Sequence, residues 1–201
     1  RESLAVNSTL YYATFGEWDF FLPSCRSCHR LGQDSREEYL LQAMYEYCGT
    51  HPKDRVVYFH NRFVHSTARQ RLQRHVTRGV FSLKCLHLVF AKGHNLCTTE
   101  FSAHPFARSV GGSFVAACPY IRKLIPPKDF AAVKLRTHRD MMQRDTSYSN
   151  DKMHGNTLKR DAWIGLGQYA MDHWVGSHPD LRPCSVLPER FKELSIRAKK
   201  K

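Results

Sequence analysis

The chain has 201 residues, 42% of them apolar and 12% aromatic, and its 31 Lys and Arg against 18 Asp and Glu leave a formal charge of +13. Such a composition fills a sizeable core and fits neither a disordered tail nor a collagen-like fibre. Its longest weakly polar stretch, Gly111 to Ile121, is far shorter than the roughly 18 residues of a spanning helix, so no transmembrane segment is expected.

Taken in chain order, Leu10 to Phe21 is aromatic and apolar and reads as containing a strand ahead of a turn from Pro23 to Cys28. Ser35 at a cap position with Glu38 three residues on, then Leu40, Leu41, Met44, Tyr47 and Cys48, predicts a capped amphipathic helix ending near Gly49. Arg55 to His60 reads as a buried strand that presents His60 at its C-terminal end, where function often sits in open α/β sheets. Ser66 to Arg78 predicts a basic amphipathic helix closed by Gly79, with Leu72 and Val76 on its apolar face. Ser113 to Cys118 is a second buried strand, followed by a short helix, Tyr120 to Ile125, that Pro126 and Pro127 stop. Lys128 to Arg144 is expected to be helical, Asn150 to Asn156 a polar loop, and Thr157 to Val175 a long helix with Trp163, Leu166, Ala170 and Trp174 at helical spacing. Pro179, Pro183 and Pro188 mark an extended tail. Alternating strands and helices predict an α/β layer with a mostly parallel sheet flanked by helices. No repeat, low-complexity tract or linker divides it, so one domain over 1–185 and a basic tail over 186–201 are expected.

Nineteen of the basic residues are Arg, spread over most of the chain. The planar guanidinium fork matches phosphate and carboxylate, which points to an anionic partner without choosing among nucleic acid, a nucleotide diphosphate and an acidic glycan or surface. A solvated basic face with no ligand is the plainer alternative. Seven cysteines at 25, 28, 48, 85, 97, 118 and 184 leave one thiol over, and Asn7-Ser8-Thr9 is a glycosylation sequon; together they lean towards an oxidising lumen. The chain opens at Arg1 without an apolar leader, so any targeting segment is expected to have been removed. Cys25-x-x-Cys28-His29 matches the attachment pattern of c-type haem, but the α/β pattern argues against haem and favours a local disulfide or structural thiols; a zinc knuckle lacks its second half.

No P-loop, dinucleotide fingerprint, nucleophile elbow or H-E-x-x-H zinc motif occurs. Three longer patterns remain. The first runs from Cys25-x-x-Cys28 through Tyr47-Cys48-x-x-His51-Pro52 and Arg55 to His60, then Thr77-Arg78-Gly79. The second is Val110-Gly111-Gly112-Ser113-Phe114-Val115-Ala116-Ala117-Cys118-Pro119-Tyr120-Ile121 with Leu124, and the third is Gly167 to Pro179 with Pro183-Cys184. In order and spacing, over about residues 10–185, they resemble a glycosyltransferase-like family of algae and other protists, and their motif order is similar to that of rhamnan-type polysaccharide glycosyltransferases.

The resemblance implies a GT-A-like α/β fold in the secretory pathway (Golgi or ER lumen, or secreted), a nucleotide sugar as donor, and a glycan or glycoprotein as acceptor. It puts His60 on the motif histidine, Gly111 and Gly112 on a glycine turn before the second strand, and Asp172 with His173 on the acid/His pair of the last helix. The family's Lys-Gly-Ser is replaced around Arg62-Phe63-Val64, and its Asn-Met-Trp by Gly112-Ser113-Phe114, changes that a relative without catalysis would also carry. Chemistry adds its own requirement: a departing nucleoside diphosphate needs a divalent metal or fixed cations, and the acceptor hydroxyl needs a base. No D-x-D occurs. Glu17, Asp19, Asp172 and His173 are the candidates if Mn or Mg is used; Arg62, Arg71 and Arg78 supply the field if it is not, with His60 or Asp172 as base. The alternative function is a non-catalytic basic module for nucleic acid or another polyanion. Trp163 and Trp174 read as core rather than as a sugar-stacking platform.

Overall fold

A computed structural model describes residues 9–14, 28–33, 37–59, 67–104, 106–144, 165–166 and 169–186. Its described strands are β1 (Leu10–Thr14), β2 (Cys28–Gln33), β3 (Arg55–Tyr58), β4 (Leu96–Thr98), β5 (Phe101–Ser102), β6 (Arg108–Ser109), β7 (Phe114–Ala117) and β8 (Pro183–Ser185). The described helices are α1 (Glu37–Thr50), α2 (Thr67–Val80), α3 (Leu83–Ala91), α4 (Cys118–Ile121), α5 (Pro127–Arg144) and α6 (Ala170–Trp174).

The central sheet has the order β3-β7-β4-β8. β7 runs antiparallel to both β3 and β4, and β8 alone lies parallel to its neighbour β4. The expected mostly parallel sheet is therefore corrected to a mixed one. The reason lies between 96 and 117: β4 and β7 are the arms of one long hairpin whose far end is β5-β6, and a hairpin can only pair antiparallel. A separate pair, β1 with β2, is parallel.

Side chains on the sheet alternate with period two and divide the core in two. Tyr58, Leu96, Phe114 and Ala116 pack with Leu41, Tyr120, Ile121, Phe130 and Trp174, which places α1, α4, α5 and α6 over one face. Cys97 and Val115 pack with Val80, Cys85 and Val89, which places α3 and the end of α2 over the other. The chain is thus a single mixed α/β domain with helices on both sides of its sheet.

Disulfides fasten both layers. Cys48–Cys118 ties α1 to the start of α4, and Cys85–Cys97 ties α3 to β4. Cys184 is free, and Cys25 lies outside the described residues while Cys28 and His29 open β2. The segment read as a proline-marked tail is instead stitched to the sheet: Asn95 Nδ2 donates to Asp180 O at 2.7 Å and its Oδ1 accepts from Arg182 N at 2.7 Å, just ahead of β8. The expected long helix over 157–175 is not continuous, because Gly165 turns with φ +71 and α6 starts only at Ala170. Likewise α2 runs through Gly79 to Val80 rather than closing at the glycine.

Candidate functional site

Two places bring chemistry-bearing residues together. The first is the end of the sheet where β3, β4 and β8 run out, marked by the row Tyr58, Phe114, Thr98 and Ser185 across the strands. Here the hairpin is interrupted: Thr98 pairs with Phe114, and Val110 N donates to Glu100 O at 2.9 Å, so Thr99 alone stands opposite Gly111, Gly112 and Ser113. Gly111 and Gly112 take φ +80 and +70, a left-handed pair that L side chains adopt only at a cost. The bulge is locked by Gly112 N donating to Ser109 O at 3.1 Å and Ser109 Oγ donating to Ser113 O at 2.5 Å.

Helix α2 is keyed into this bulge. Thr99 Oγ1 donates to Val76 O at 2.7 Å, and a methyl on Gly111 would come within 3.0 Å of Val76 Cγ2. Val76 and Val80 are buried, so Arg71, Arg74 and Arg78 face outward and are exposed. Tyr58 Oη donates to Glu37 Oε1 at 3.1 Å, which sets a carboxylate of the first turn of α1 beside the last residue of β3. Thr98 Oγ1 and Ser113 Oγ, both on fully buried side chains, have no hydrogen-bond partner. Buried polar atoms are nearly always paired, so each exception calls for a reason.

The second place is a cavity of about 280 Å³ between α5, the turn after α4 and the region of α6. Phe130, Val133, Lys134 and Thr137 line it from α5, at the spacing of a single helical stripe, and His173 and His178 line it from the other side. The Lys134 ammonium donates to His173 Nδ1, which leaves the imidazole neutral with its proton on Nε2. Lys134 Nζ also lies 5.1 Å from the centroid of Phe106 and 5.9 Å from that of Phe130. Burial pulls the Lys134 ammonium down to about 8, and burial together with that ammonium pulls His173 down to about 4. Two glycines make room: a methyl on Gly165 would meet Phe106 and Lys134, and one on Gly176 would overlap the backbone carbonyl of Ala107.

Of the residues singled out in the sequence, His60, Arg62, Glu17 and Asp19 lie outside the described residues. Gly111 and Gly112 form the bulge at the sheet end, whereas Arg71 and Arg78 lie on the outward face of α2, opposite the Val76 side that meets that bulge. His173 lines the cavity instead, and none of those four lines it. Asp172, half-buried on the adjoining position of α6, does not line it either. His173 Nδ1 is in contact with the Lys134 ammonium, and among the described residues no three His, Cys, Asp or Glu converge. Trp174 is core as expected: it is fully buried and its Nε1 donates to Ile125 O at 2.8 Å. Trp163 lies outside the described residues.

Residues 6–200 match the model of a family described as a domain of unknown function, DUF8361. The chain belongs to that family. No curated protein and no solved structure matches it. The family match spans the sheet end and the cavity alike, so both are built from residues inside the shared domain.

Lys134, Glu37 and Thr98 were not singled out by the sequence. Lys134 was open to notice: it stands one turn beyond Phe130 on the apolar stripe of an otherwise ordinary amphipathic helix, where a charge needs a reason. The others depend on contacts between segments far apart in the chain.

Proposed function

We propose that the chain is a GT-A-like glycosyltransferase homologue that takes a nucleotide sugar at the sheet end and a glycan or glycoprotein as acceptor. The observation that carries this reading is the double-glycine bulge keyed to a basic helix where three strands of the central sheet run out. Glycines at that turn let a phosphate approach the backbone closely. Arg62, which follows β3 in the sequence, supplies fixed positive charge to the departing diphosphate, and Arg71 and Arg78 on the outward face of α2 add a general positive field, a role that needs no metal. His60, directly beyond the exposed Phe59, or a carboxylate, Asp172 or Glu37, takes the proton of the acceptor hydroxyl. Two disulfides support a lumenal or secreted setting, because such bonds persist where the surroundings oxidise.

The test is a thermal-shift series with UDP, GDP and their sugar conjugates, with and without manganese. Ligand at a hundred times its Kd stabilises by about 2.7 kcal/mol. For a domain of this size that raises Tm by roughly 5–10 °C, and the Arg62→Ala variant loses most of the rise. No shift with any nucleotide overturns the reading. The exposed arginine face of α2 favours one other reading, a module for nucleic acid or another polyanion. Oligonucleotide binding that weakens steeply with salt, without a nucleotide response, would establish that instead.

A further inference from the structure

We propose that the cavity between α5 and α6 is a binding site for a small monocarboxylate with an apolar body, held by Lys134. The cavity holds an unbalanced charge. Among the described residues, the only polar contact of Lys134, a half-buried cation, is a neutral imidazole, and no carboxylate pairs with it. The other cation on the cavity wall, Lys123, is already paired with Asp180. Burying a charge without a counter-charge is costly, and a half-buried ammonium on the wall of an open cavity calls for an anion that enters from outside.

The walls decide what kind of anion. Leu124, Ile125, Phe130 and Val133 give the cavity an apolar lining. The hydroxyls of Thr137 and Ser177 already donate to Val133 O at 3.1 Å and Trp174 O at 2.8 Å, so neither is left as a donor. A phosphate or a sugar, which asks for many hydrogen bonds, is poorly served here. A single carboxylate on a ring or a short aliphatic chain matches one ammonium, the imidazole N–H groups of His173 and His178, and an otherwise oily wall. At about 280 Å³ the space exceeds the roughly 150 Å³ apolar cavity that accepts benzene. Ile125, 37% exposed at the rim, leaves an apolar edge facing the entrance. This site shares no lining residue with the sheet end, so it stands whether or not a nucleotide binds there.

The experiment compares phenylacetate and hexanoate with neutral phenylacetamide, and with acetate, by calorimetry and by the His173 imidazole resonances of the whole chain. Phenylacetate is expected to bind roughly tenfold or more tightly than phenylacetamide, as a charge-assisted contact would give, and to move the His173 signals. Lys134→Met, which keeps the stem and removes the charge, should erase that preference while Tm stays at or above the parent value. Lys134→Gln provides a second neutral variant should the first fail to fold. Equal binding of phenylacetate and phenylacetamide, an unchanged preference in either folded variant, or no binding of any carboxylate at 20-fold excess over millimolar protein overturns the proposal.

Discussion

The tightest constraint on a single side chain is the Lys134–His173 contact, and it makes stability depend on pH in two separate windows. His173 titrates near 4 when folded against 6.5 as an ordinary imidazole, so between those values the unfolded chain binds the extra proton. Stability therefore falls as pH drops through that window, by on the order of 2–3 kcal/mol from this ring alone. Urea unfolding at pH 7 and pH 4 should show His173→Gln losing less stability than the parent; equal losses would remove the buried imidazole from the account. Lys134, lowered from 10.5 to about 8, acts at the alkaline end: its burial cost is fully present below pH 8 and is relieved as pH rises towards 10.5. The sequence reading picked out His173 as a metal ligand beside Asp172 but had no means of pairing it with Lys134, 39 residues away. Identity and spacing locate a histidine on a helix; what it faces is set by the crossing of two helices.

Among the elements, the glycine bulge and the seat of α6 are where backbone and packing act together. Gly93 and Gly111 both have positive φ, +72 and +80, but space around Gly93 is open whereas Gly111 meets Val76. Gly93→Ala should cost about 1 kcal/mol of backbone strain, and Gly111→Ala roughly 2–4 kcal/mol because the contact with α2 is added. Gly176→Ala belongs with the larger value, since its methyl would overlap the Ala107 carbonyl and displace α6 from β6. Chemical denaturation of the three variants checks the order; an equal cost at Gly93 and Gly111 would mean that α2 is not keyed into the bulge. Strong periodicity and caps made α1, β3, α2, β7 and α5 legible. β4 and β8 were not, because three-residue strands such as Leu96–Thr98 carry no period, and α3 sits in a segment whose apolar residues suit either state. Missing β4 is also what made the sheet read as parallel, since the hairpin that reverses it was hidden.

Across the molecule, two disulfides among the described residues clamp helices onto both sides of one mixed sheet. Cys48–Cys118 closes 70 residues and Cys85–Cys97 closes 12. Chain entropy then assigns about 4 kcal/mol to the first and about 3 kcal/mol to the second. The paired serine variants should lose stability in that order, measured by denaturation under oxidising conditions; stability insensitive to both pairs would argue against an oxidised working form. Odd cysteine number and basic charge were readable from composition, and the structure leaves Cys184 as the free thiol among its described cysteines. Which cysteines pair was not readable, because pairing follows the placement of α1 and α3 over the sheet.

Whether a nucleotide sugar sits where the strands run out is decided by titrating the isotope-labelled chain with UDP and following its backbone amides. Saturable shifts are expected to cluster at Thr99, Gly111, Gly112 and Val76 to Arg78. Saturation without movement of those amides, or shifts confined to the cavity between α5 and α6, would contradict that placement.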